Sequence, residues 1–203
     1  MELDNKMIGI IVPTKFEYDA IPKEILDDKS LIVATSGIGK IRVLICCYEM
    51  LISHPSISHI ILTGYAGGLN GVKIGDIVQG NVVEEGDYED GGLDATSHIL
   101  EADQIGIKAM PCKIYSQDTF LTRDPYDSAG DVATDMESYA VALFCDRYDL
   151  KFSVVKVISD VVGDNSVKQF VDNTNLLSGT FSSLITEMIA EVKREISKEA
   201  NSN

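Results

Sequence analysis

Short runs of β-branched and aliphatic residues alternate along this chain with longer segments whose apolar positions recur every three or four residues. The runs Ile8 to Val12, Leu31 to Ala34, Ile57 to Leu62, Ile77 to Val83, Lys113 to Tyr115 and Phe152 to Ile158 predict strands. Helical spacing marks Ile41 to Ile52, Glu137 to Tyr148 and a long segment beginning near Thr180. In the last, Phe181, Leu184, Ile185, Met188, Ile189, Val192 and Ile196 fall on one stripe with charges opposite. That pattern predicts a terminal helix docked on the core and ending in a frayed polar tail. Strands alternating with helices predict an α/β fold, a central sheet with helices on both faces.

At 203 residues, with no repeat and no convincing linker, the chain reads as one domain over 1–203. The least regular stretch, Glu84 to Gln104, is acidic and glycine-punctuated and reads as a loop or flap. The net charge of −15 repels phosphate backbones and anionic lipid, which argues against nucleic-acid and membrane-surface partners. No apolar run approaches the ~20 residues that span a bilayer. The start, "MELDNKMIGIIVP", puts acids before a short apolar run, unlike a signal peptide. Cys46, Cys47, Cys112 and Cys145 lack metal-binding or redox spacing and read as buried reduced thiols, in keeping with a cytoplasmic protein.

The candidate chemistry lies in glycine-bearing turns and in acids at strand ends. "TSGIGK" closes one strand and opens a helix, "TGYAGGLN" follows another, and "VKIGDIV" and "VVGDN" complete the set. Such turns let a backbone approach a ligand, although each alone is more often a tight turn than a site. None has the spacing of a nucleotide-phosphate loop or a dinucleotide fingerprint. "VVKVISDVVGD" runs a strand into Asp160, at the sheet edge where open α/β folds bind ligands, or into a simple cap. Glu17 follows the first strand beside Tyr18 and Asp19, where a surface position is the ordinary expectation. Phe120 ends a strand-like run and either packs in the core or stacks on a planar ring. In "ATDMESYAVA", Asp135 stands at a helix mouth as a cap, and Glu137 either opens the helix or faces a substrate. The histidines form no constellation with serine or cysteine, so carboxylates on separate strand ends are the chemistry-bearing groups.

Together "IGIIVPTKFEYDAI", "SGIGK", "TGYAGGLNGVKIGDIV", "QDTFL", "ATDMESYAVA" and "VVKVISDVVGD", from Ile8 to Asp164, resemble the nucleoside phosphorylase/nucleosidase superfamily. The nearest resemblance is to its 5′-methylthioadenosine/S-adenosylhomocysteine nucleosidases. It implies a three-layer fold whose central, twisted, mixed β-sheet is partly barrel-like and flanked by helices. It implies hydrolysis of an N-ribosidic bond with release of adenine, in a homodimer that uses no metal or organic cofactor. By the same resemblance Asp160 protonates or hydrogen-bonds N7 of the leaving adenine, and Glu17 activates the attacking water. Glu137 accepts the ribose hydroxyls, Met136 packs under the sugar, Phe120 stacks on the purine, Leu121 bonds its edge through the backbone, and Gly67 lies against the ligand. Leu62 stands where the phosphorylase branch carries a phosphate-binding arginine, leaving Lys15 as the one cation of the first loop. Tyr65 stands where nucleosidases commonly carry serine, Lys156 where bacterial members usually carry arginine, and Glu84 to Gln104 is shorter than usual. Another purine nucleoside hydrolase or phosphorylase, or a nucleoside-binding homologue with little turnover, are the competing readings.

Overall fold

The computed structural model describes residues 6–89, 98–126 and 129–202, with the backbone alone for 199–202. Eight strands form one mixed sheet: β1 (Met7–Val12), β2 (Leu31–Thr35), β3 (Ile57–Asn70), β4 (Ile77–Glu85), β5 (Ile99–Glu101), β6 (Met110–Ser116), β7 (Val132–Asp135) and β8 (Lys151–Val161). Among the described residues six helices accompany them: α1 (Lys15–Asp19), α2 (Lys23–Leu26), α3 (Lys40–Ser53), α4 (Ser138–Tyr148), α5 (Ser166–Leu176) and α6 (Ser178–Ser202). The strand order is β2-β1-β3-β7-β6-β4-β5, and β8 pairs with both β3 and β4. Strands β3, β7, β6, β4 and β8 therefore close on themselves into a barrel, with β1 and β2 extending from β3 and β5 from β4. This is the mixed, helix-flanked and partly barrel-like sheet that the sequence pattern and the resemblance imply.

Alternation along the strands divides the core. Ile8, Ile10 and Val12 of β1, with Val155 and Val157 of β8, pack under Phe181, Leu184, Ile185 and Met188 of α6. Ile11 of β1 and Phe152, Val154 and Ile158 of β8 face Val43 and Cys47 of α3 and Val141 and Phe144 of α4. A fully buried side chain of this kind contributes roughly 1.5–3 kcal/mol, so the period of two along β1 and β8 is what binds helices to both faces. The α6 stripe is the predicted one, although the helix begins at Ser178. All four cysteines are free, three of them buried.

Three expectations change. "TGYAGGLN" is not a turn, because β3 continues through it to Asn70, paired with β8 on one side and β7 on the other. Its glycines bring strands close together: a Cβ on Gly67 would stand 3.2 Å from Thr134 Cγ2 of β7 and from Asp160 Oδ2 of β8. Within Glu84 to Gln104, the chain begins as the end of β4 and includes β5, while residues 90–97 lie outside the described residues. The short helices α1 and α2 and the four-residue β7 carry too little periodicity to be read from sequence, and the 11-residue α5 was not among the helices expected.

Candidate active site

The segments leaving the carboxyl ends of β1, β6, β7 and β8 meet over the middle of β3 and enclose a cavity of about 340 Å³. Glu17, Gly67, Phe120, Leu121, Met136, Glu137 and Asp160 all line it. The seven residues expected from sequence are thus brought to one place from five separate segments.

Glu17 is buried, contrary to the ordinary expectation for its position. "TKFE" forms a capping box: Thr14 is the N-cap of α1, its Oγ1 faces the Glu17 N–H, and the glutamate reaches back to the Thr14 N–H at 2.7 Å. A further donor, the Tyr65 N–H, lies 2.9 Å from Oε1. Burial raises the Glu17 pKa, and the Thr14 hydroxyl, the Lys156 charge and the two backbone donors oppose the rise. Gly64 makes room for this carboxylate. Its φ is +145°, and a Cβ there would stand 2.5 Å from Glu17 Oε1.

Glu137 is also buried, at the start of α4, with Oε1 accepting the Gly39 N–H at 2.9 Å. Burial raises its pKa, with Lys156 opposing and Asp135 adding to the rise. Its neighbour Asp135 caps α4 as expected, accepting the Ser138 N–H at 3.1 Å and the Ser138 hydroxyl. Asp135 also pairs with Lys156, whose Nζ is 3.0 Å from Oδ2 in the geometry of an ion pair rather than a directed hydrogen bond. Burial works against the Lys156 ammonium, yet Asp135, Glu137 and Glu17 hold its pKa above the usual lysine value.

Asp160 lies near the end of β8, 2% exposed, with Ser159 Oγ donating to Oδ1 at 2.8 Å. Burial pushes its carboxyl up to about 6, with the Ser159 bond pulling the other way. Gly67 pairs with it across a register shift between β3 and β8, and a Cβ on Gly67 would stand 3.2 Å from Asp160 Oδ2. Phe120 is at the rim, edge-on to Phe170 of α5 at 5.9 Å between centroids, and the Leu121 carbonyl accepts from Ser166 Oγ.

The structure adds participants that the strand-end acids did not reveal. Thr14 was legible as a T-x-x-E capping box, but Gly39, Gly64 and Ser159 act through tertiary contacts that no local pattern marks. Val167 and Phe170 of α5 complete the apolar wall. Tyr65 lines the cavity, but its hydroxyl donates to the Thr174 carbonyl at 2.8 Å and its ring packs on Phe16 and Phe181. Leu62 is buried in the core and Lys15 pairs with Asp19 at the surface, so neither offers a charge to the cavity. Among the described lining residues there is no lysine or arginine.

A family model described as the phosphorylase superfamily matches residues 101–190. A 5′-methylthioadenosine/S-adenosylhomocysteine nucleosidase of Thermotoga maritima is 31% identical over 156 residues, covering 70% of this chain and 71% of that protein. The Helicobacter pylori nucleosidase of the same name, solved in complex with a thioether-bearing pyrrolidinol, superposes with a TM-score of 0.80 at 18% identity, covering 92% of this chain and 98% of the other. A futalosine hydrolase of Helicobacter pylori superposes with a TM-score of 0.81, also at 18% identity, over 92% of this chain and 98% of its own. At those identities the two structures speak to the fold, whereas the Thermotoga relative speaks to descent. By that relative, the shared fold and the superfamily match, the chain belongs to the 5′-methylthioadenosine/S-adenosylhomocysteine nucleosidase family of the phosphorylase superfamily.

Proposed function

We propose that the protein hydrolyses the N-ribosidic bond of 5′-methylthioadenosine, S-adenosylhomocysteine or both, releasing adenine. The observation that carries this reading is the convergence of Glu17, Glu137 and Asp160 on one cavity whose described lining has acids but no lysine or arginine. Departure of adenine leaves positive charge on the ribosyl ring, which carboxylates stabilise, and negative charge on the base, which needs a proton. Asp160, whose carboxyl burial lifts to about 6, gives its proton, when it carries one, to N7 as the C1′–N9 electron pair moves onto the base. Glu17, fixed by Thr14 and Tyr65, takes a proton from the water that attacks C1′. Glu137 accepts the ribose hydroxyls, with Met136 beneath the sugar, Phe120 on the purine face, the Leu121 backbone at its edge and Gly67 close to the ligand. Phosphorolysis requires a bound phosphate dianion, and no described lining residue offers a cation to one.

The chain acts as a single domain, supported by a sheet that runs continuously from Met7 to Val161. It works as a homodimer in the cytoplasm. Supporting the first is an exposed apolar face, Ile41, Ile45, Tyr48 and Ile52 of α3 with Leu143 and Tyr148 of α4. Supporting the second are the four free thiols. Among the described residues, no helix is long and apolar enough to cross a membrane.

The test is incubation with 5′-methylthioadenosine, with and without phosphate, reading free adenine. Adenine released without phosphate is the expected result; phosphate dependence would make the enzyme a phosphorylase, and tight binding without release a binding protein. Asp160→Asn is expected to lower kcat by at least ~10²-fold, the scale of a lost general acid, while keeping nucleoside affinity within a few fold. Hydrolysis by that variant at near the wild-type rate would remove Asp160 from the mechanism.

A further inference from the structure

Lys40, the first residue of α3, does not line the cavity, yet it joins two of the segments that build it, its own turn and the loop after β6. Its Nζ lies 2.8 Å from Glu85 Oε1, bonds Asp87 Oδ1, and stands 4.0 Å from Asp118 Oδ2. Its backbone N–H donates to Asp118 Oδ1 at 3.0 Å, and the Asp118 N–H donates in turn to Asp87 Oδ2 at 2.7 Å. Lys40 thus ties the start of α3 to the end of β4 and to the loop that follows β6. Only 14% of its side chain is exposed, so these ion pairs are partly shielded from water and salt.

Both ends of this network reach the cavity. One residue before Lys40, the Gly39 N–H holds Glu137 Oε1, and two residues after Asp118 the same loop presents Phe120 and then Leu121. Gly39 has φ +102°, and a Cβ on it would meet Asp118 Oδ1 at 3.4 Å. Its glycine lets two successive N–H groups at the helix start face two different carboxylates, Glu137 and Asp118. Glu17 and Asp160, by contrast, are fixed by Thr14, Tyr65 and Ser159, none of which touches the network.

We propose that Lys40 is a positioning residue for nucleoside binding. It is an ionic clasp that sets the Phe120–Leu121 loop against the α3 start, and so fixes the base-stacking ring and the ribose-binding glutamate relative to each other. This rests on the roles proposed above for Phe120 and Glu137. Those groups contact the nucleoside in ground and transition states alike, so loosening them weakens binding, whereas the acid–base pair keeps its own supports. Two further ties, Gln117 Nε2 to Thr134 Oγ1 at 3.2 Å and Ser166 Oγ to the Leu121 carbonyl, keep the loop attached when the clasp is lost.

The experiment compares wild type, Lys40→Met and Lys40→Arg in adenine release from 5′-methylthioadenosine, with hydrogen–deuterium exchange of all three proteins without ligand. Lys40→Met is expected to raise KM by about tenfold and change kcat by less than about threefold, with Lys40→Arg recovering most of the KM. Exchange in residues 85–88 and 117–121 is expected to quicken in Lys40→Met and to stay near wild type in Lys40→Arg. An unchanged KM, or a loss confined to kcat, overturns the positioning role. Unchanged exchange overturns the clasp itself, whatever the protein's activity. If wild type releases no adenine, the nucleosidase reading fails, while the exchange comparison still decides the clasp. Should Lys40→Met not fold, Asp87→Asn removes one of the clasp's charges from the far side and is expected to raise KM in the same direction; an unchanged KM there overturns the proposal as well.

Discussion

At the scale of single residues, the two proposed acid–base groups are tuned by different means. Glu17 is buried but surrounded by donors, the Thr14 and Tyr65 N–H groups and the Thr14 hydroxyl, all of which favour its ionised form. Burial prevails at both, but Asp160 has one protein donor, Ser159 Oγ, to oppose it, and its carboxyl is lifted to about 6. A group that must be protonated to act loses activity as pH rises through its pKa, so Asp160, as the proposed acid, is expected to govern the alkaline fall of kcat/KM in the free enzyme. The Ser159 bond stabilises the carboxylate and therefore lowers this pKa. Ser159→Ala is expected to move the alkaline limb of the pH profile upward, by up to about one unit, the scale of one hydrogen bond to a charged group. A limb that stays put, or moves to lower pH, would separate it from Asp160.

At the scale of elements, α5 is the piece whose placement the cavity most needs and the sequence least reveals. It supplies Val167 and Phe170 to the wall and is tied down by polar bonds: the Val161 N–H to Gln169 Oε1, Asn173 Nδ2 to the Ser159 carbonyl, and the Tyr65 hydroxyl to the Thr174 carbonyl. Tyr65→Phe leaves the aromatic packing and removes the last of these bonds. It is expected to cost roughly 1–3 kcal/mol, the penalty for a buried carbonyl losing its donor, with faster amide exchange in α5 than in β8 and a raised KM. Unaltered exchange in α5 would mean that the ring, not the hydroxyl, holds the helix. The sequence "SVKQFVDNTNL" has helical spacing at Val167, Phe170 and Val171, but the anchors that place α5 are polar side chains reaching other segments, and hydrophobic periodicity is blind to them. β3 was half legible for a related reason. Glycines that weaken an isolated strand are needed where β3 and β8 crowd Asp160 inside the barrel, as at Gly67. By contrast the strands of β1 and β8 and the α6 stripe were plain, because one repeated apolar face decides each of them. The acids at 17, 137 and 160 were visible as strand-end residues, but only pairing of distant segments makes them neighbours.

At the scale of the whole molecule, an apolar face and a large net charge pull association in opposite directions. Ile41, Ile45 and Ile52 of α3 are more than half exposed, at 73%, 54% and 60%, and with Leu143 and Tyr148 of α4 they form a patch that two copies would bury together. Each chain also carries a formal charge of −15, so two copies repel one another as they approach. Salt shortens the range of that repulsion, from roughly 20 Å at about 0.02 M to roughly 7 Å at about 0.2 M, and leaves apolar contact largely intact. Self-association across this face should therefore tighten with added salt, the opposite of an interface held by ion pairs. Sedimentation of the wild type is expected to give a dimer whose dissociation constant falls between those two salt concentrations. Ile45→Asp puts a charge in the middle of the patch, away from the cavity, and is expected to sediment as a folded monomer at both. A dimer that weakens with salt, or one that survives Ile45→Asp, would move the interface to another face of the molecule.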